Sequence, residues 1–149
     1  MDTKEIAEYV DETLTKLYKE QEQAIDDIEN LVLKWWNELF PLMEVMRKHR
    51  IHFENPEFGY GETLQGIPVA QTLGDSPRLL VLQGNCVQYV DARTDEVDKT
   101  KSLSLKTYIK TADLKNLKTG FDFIRGIKAR VDAEEEYTRR LQGFLMENG

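Results

Sequence analysis

The sequence predicts an α+β chain: a long N-terminal helix kinked near Pro41, a small antiparallel β-meander of three to five strands, and a long C-terminal helix. Three features lead there. No glycine or proline interrupts residues 3–40, and apolar residues recur through them at helical spacing. Glycines and prolines crowd into 55–77, and strand-like apolar runs follow. From Thr111 or Asp113 onward the helical period returns. The 149 residues fit one domain, helical over 1–50, β-rich over 51–110 and helical over 111–149.

Asp2 and Glu5 have the spacing of a capping box, so the first helix starts at the N-terminus. Val10, Leu14, Leu17, Gln21, Ala24, Ile28, Leu31 and Trp35 then alternate at steps of four and three. That is a heptad seam, with Leu14, Gln21, Ile28 and Trp35 at a and Val10, Leu17, Ala24 and Leu31 at d. Tyr18, Ile25, Val32 and Leu39 widen it on one flank, which suits packing into a bundle or domain. About 37 helical residues would span roughly 55 Å, against a radius of gyration near 15 Å for a domain of this size. The helix therefore projects, kinks or pairs with another long element. Pro41 lacks an amide donor and crowds the preceding turn, so a break is expected there. A short second helix, Leu42 to Arg50, would end on the basic run Arg47-Lys48-His49-Arg50.

In the middle, Ile51–Phe53 and Ile67–Val69 are candidate short strands, the second at an edge because of Pro68. Arg78–Gln83 and Cys86–Val90 flank Gly84-Asn85, a two-residue hairpin signal. A polar turn, Asp91–Lys99, leads to Lys101–Ile109, where Leu103, Leu105, Thr107 and Ile109 alternate as on a half-wet strand. In the last helix Gly120 and Gly126 mark a close contact or a bend.

Net charge is −7, which sets a repulsive long-range field against nucleic acid and anionic membrane. The charge is uneven. Lys99, Lys101, Lys106, Lys110, Lys115, Lys118, Arg125, Lys128 and Arg130 make a basic stretch opposite an acidic first helix. Self-complementarity within the chain is the plain reading; a nucleic-acid surface is the alternative. The single cysteine, Cys86, excludes an internal disulfide and fits a reducing, cytoplasmic setting. The N-terminus lacks the basic and apolar regions of a signal peptide, and no run approaches membrane-spanning length.

Candidate chemistry is thin. His49 and His52 are three apart, but spacing supplies no third metal ligand. Cys86 with either histidine would make a nucleophile and base, yet it sits on a hairpin strand where a structural thiol is the ordinary occupant. Asp91, Asp95, Glu96 and Asp98 crowd one turn, without the glycine that bends a calcium loop. No cofactor is expected. Trp36, Phe58 and Tyr60 are the candidate partner-binding anchors, the last two in a glycine-rich loop where folding back over the sheet is the competing reading.

The order long helix, small β-region, long helix resembles prefoldin-type chaperone subunits. That resemblance implies terminal helices paired as an antiparallel coiled coil and hairpins that oligomerise; the Pro41 break and the 55–77 loop depart from it. The leading expectation is a non-enzymatic protein-interaction module: a self-associating adaptor, an assembly chaperone, or an inhibitor of a host protein from a phage or mobile element. The alternatives are nucleic-acid binding through the basic stretch, and a small enzyme or ligand-binding protein using His49, His52 and Cys86.

Overall fold

The computed structural model describes residues 2–59 and 61–149. Its chain order is helix, four strands, three helices. Helix α1 (Thr3–Lys48) begins where the sequence places it: the Asp2 carboxylate accepts from the Glu5 amide at 2.8 Å. It does not restart at Pro41. One helix runs through the proline, and the expected second helix is its last two turns. Pro41 leaves the Asn37 carbonyl without its helical donor. The fully buried Met43 and Met46 hold the following turns on the core, so packing overrides the local penalty. The end is a Schellman motif: the Arg50 amide donates to the Arg47 carbonyl and the Ile51 amide to Met46 at 2.8 Å. Arg50 takes the left-handed conformation, with φ of 56°, that glycine usually fills.

Strands β1 (Ile67–Thr72), β2 (Arg78–Gln83), β3 (Cys86–Asp91) and β4 (Val97–Ser104) form one antiparallel meander in the order β1-β2-β3-β4. The hairpin expected at Gly84-Asn85 is there, with Gly84 at φ of 63°. β1 lies at an edge, as Pro68 requires. The Ile51–Phe53 segment makes only a bridge, Phe53 to Thr63. The expected strand over 101–109 stops at Ser104. Ser104 caps helix α2 (Leu105–Thr111), its hydroxyl accepting from the Thr107 amide. Leu105, Tyr108 and Ile109 are the buried residues there, a helical spacing that wins over the alternation of Leu103 with Leu105.

The expected continuous last helix divides at Gly126 into α3 (Leu114–Arg125) and α4 (Ile127–Asn148). Gly120 serves close contact. A β-carbon on it would sit 2.6 Å from Ile67 Cγ2 and 3.0 Å from the Pro68 carbonyl oxygen, so α3 lies hard against β1.

The main core lies between the helices and one sheet face: Val32, Met43 and Met46 of α1 meet Val69, Leu82, Val87, Tyr108 and Phe121. The Tyr108 hydroxyl donates to the Val69 carbonyl at 2.9 Å, and burial pushes its pKa far above the ordinary phenol value. A smaller cluster, Leu79, Val81 and Val90, fills the other face under Phe58 and Val97. Polar stitches fix the loop before β1. Asn55, fully buried, donates to the carbonyls of Pro68 and Asn116, each at 2.9 Å, and accepts from the Glu57 amide.

Candidate interaction surface

Only half of α1 belongs to the core. Burial on it starts at Ile25 and follows Ile25, Ile28, Val32, Trp35, Leu39, Met43 and Met46. From Thr3 to Ala24 only Thr13 is as much as half-buried. That arm of about 22 residues projects roughly 33 Å. Its apolar residues Ile6, Val10, Leu14, Leu17 and Tyr18 lie exposed. The seam expected at Val10, Leu14, Leu17, Gln21, Ala24, Ile28, Leu31 and Trp35 is thus not the stripe that packs in the body. Only Ile28 and Trp35 are half-buried, and Leu31 is 43% exposed although it stands within the body segment. The body sits on the flank through Ile25, Val32 and Leu39 and leaves the d side open.

The second arm is α4. Ile127 is buried at its start, and from Lys128 onward only Gly143 is not exposed. Apolar residues collect toward its end: Tyr137, Leu141, Phe144, Leu145 and Met146. The two arms leave from different ends of the body. Lys106 of α2 bonds Asp26 at 2.8 Å near the root of the first arm. Val45, His49 and Ile51 share an apolar groove of about 550 Å³ with Ile127, Arg130 and Val131 at the root of the second. Between 19 and 23 residues along α1, roughly 30 to 35 Å, separate Asp26 from Val45 and His49. The terminal helices therefore do not pair along their length as the prefoldin layout implies.

The expected aromatic anchors fare differently. Phe58 is half-buried against Leu79, Val81 and Val90, folded back over the sheet. Tyr60 lies outside the described residues. Trp36 is half-buried against the main core, its ring 6.3 Å from the exposed Phe40. Trp35 meets Phe121 edge-on at 5.4 Å, with the Arg125 guanidinium 4.9 Å over its ring.

The basic stretch is largely spent. Lys106 pairs with Asp26, Lys115 with Glu57, Lys118 and Arg125 with Asp122, and Lys128 with Asp132. Hydrogen bonds from Lys118 and Arg125 hold Asp122 below the usual carboxylate value. Lys101 lies over the Tyr89 ring. Self-complementarity between acidic α1 and basic α2 is realised at Asp26; most of the other pairs are local to α3 and α4.

His49 and His52 line separate clefts, and Cys86 lines neither. The Cys86 sulfur contacts the Gln83 carbonyl and the Gln88 amide instead. Among the described residues no three histidine, cysteine or carboxylate groups stand close enough to hold a metal. The acidic turn is structural. Asp95, at φ of 59°, accepts from the Thr63 hydroxyl and the Leu64 amide, while its carbonyl takes the Gln65 side chain. Sequence reasoning missed one charged pair, Glu54 and Glu62, which line a shared cleft. Burial, then the hydrogen bond and charge of Glu62, push Glu54 above the usual carboxylate value. No helix among the described residues is long and apolar enough to cross a membrane. Compared with family models, curated proteins and solved structures, the chain matches none.

Proposed function

We propose that this chain is a non-catalytic protein-interaction module that self-associates through the seam of its α1 arm. One observation carries the reading. An apolar heptad stripe runs along a helix that leaves its own core, with Val10, Leu14 and Leu17 exposed on the arm and Leu31 exposed within the body segment. Lone exposed apolar residues are ordinary on a protein surface; a periodic stripe of this length is a surface made for another helix. The apolar end of α4 is then left to present the assembled protein to other partners, as an adaptor or assembly chaperone requires. The nucleic-acid alternative is weakened by the ion pairs that occupy most of the basic stretch.

Light scattering coupled to size exclusion tests it. The wild type is expected at a multiple of 17.3 kDa. Leu14→Asp is expected to give a monomer, because a charge would have to be buried unpaired in the seam. A wild-type monomer at tens of micromolar would sink the reading.

A further inference from the structure

Resting on that self-association, we infer that two α1 helices pair antiparallel, related by a two-fold axis between Leu17 and Gln21. Three observations point there. The first is volume. Placing Leu17 opposite Gln21 of a second copy sets Leu14 against Ala24, Val10 against Ile28, and Ala7 against Leu31. Small residues then face large or medium ones from layer to layer, as dense packing demands. The parallel, in-register alternative stacks Ala7 on Ala7, Ala24 on Ala24 and Trp35 on Trp35, alternating voids with crowding.

The second is charge. The arm's tip carries Asp2, Glu5, Glu8, Asp11 and Glu12 against Lys4 alone. Parallel pairing brings two such tips together, and like charges at helix-contact distance repel. Antiparallel pairing separates them and lays each tip, at −4, along residues 26–36 of the other copy, where Asp26, Asp27 and Glu29 against Lys34 leave −2, so the repulsion is reduced. There, the cleft between α1 and α2 presents Lys110, which is exposed and has no carboxylate partner among the described residues.

The third is exposure. Leu31 stays open on the body segment, beyond the point where the core takes over the neighbouring flank. In this register Leu31 is the layer that receives Ala7, so the pairing accounts for an open leucine that the single chain leaves unexplained. The contact runs from Thr3 to Trp35, roughly 50 Å of seam. It is isologous and closes at two copies.

Cysteine cross-linking in a Cys86→Ser background tests the orientation, with the solution mass of each variant measured first. Ala7→Cys and Leu31→Cys proteins, each oxidised alone, are expected to stay uncross-linked, because like positions lie roughly 36 Å apart along the antiparallel pair. Mixed and oxidised together, they are expected to give a covalent dimer. Cross-linking of Ala7→Cys with itself would show a parallel pair and overturn the inference while leaving self-association standing. A dimeric mass with no cross-link in the mixture would also overturn this register. A monomeric mass for every variant and the wild type would remove the self-association and this arrangement with it.

Discussion

The two halves of α1 share a helical apolar period and have opposite fates. Over 25–48 the helix buries Val32, Met43 and Met46; over 3–24 it leaves Ile6, Val10, Leu14 and Leu17 in water. Both carry apolar residues at helical spacing, although the body half is the richer, with thirteen of its 24 residues apolar against eight of 22 in the arm. What also differs is whether α2, α3 and the sheet lie opposite. Periodicity therefore reports that a face exists, and the rest of the fold decides what covers it.

Breaking the comparison outright needs a charge in each half. Val32→Asp is expected to cost more than about 4 kcal/mol and to unfold the body, because the carboxylate would be buried without a partner. Leu17→Asp is expected to leave the body's thermal midpoint close to wild type and to change only the solution mass. Equal losses of melting temperature in the two variants would show that the arm is as buried as the body.

Within the body, the loop before β1 is held by one side chain. Asn55→Ala removes a buried donor from the carbonyls of Pro68 and Asn116, at a cost of roughly 3 kcal/mol in urea denaturation. A loss below a few tenths would mean that water replaces both bonds. The helix end gives a gain instead. Arg50→Gly is expected to stabilise by about 1 kcal/mol, since glycine takes the left-handed conformation without steric cost. A neutral or destabilising result would show that the Arg50 side chain contributes contacts of its own.

The smallest effect is one of pH. The folded state raises the Glu54 pKa above 4.5, so it binds that proton more tightly than the unfolded chain. The stability this contributes is full below about 4.5 and is lost as pH rises through the higher folded value. Glu54→Gln is therefore expected to be slightly more stable than wild type at pH 7, with the advantage shrinking toward pH 4. A constant difference between the two melting curves across that range would count against it.

Much of the fold was legible because its signals are local. Asp2 marks the start of α1, and Gly84-Asn85 between two apolar runs marks the central hairpin. The boundary between β4 and α2 was not, because Leu103, Leu105 and Ile109 satisfy a strand period while Leu105, Tyr108 and Ile109 satisfy a helical one. Only the Ser104 cap, with its sheet partner Cys86 in place, decides. The roles of Asn55 and Asp95 gave no signal, since Pro68, Asn116, Thr63 and Leu64, which their side chains bond, stand 13 to 61 residues away. The heptad seam was visible. Its exposure was not, because a second apolar stripe one flank away competed for the same core.

Both tryptophans of the chain stand side by side on α1, Trp35 beneath Arg125 and against Phe121, Trp36 against Phe40. Intrinsic fluorescence is therefore a reporter of the α1–α3 junction and is nearly blind to both arms. Far-ultraviolet circular dichroism sees every helical turn, including some 40 residues of arm. The two signals need not melt together: an ellipticity loss that precedes the tryptophan transition would be the arms fraying from an intact body. A single-probe melting temperature thus describes only the part of the molecule that the probe can see.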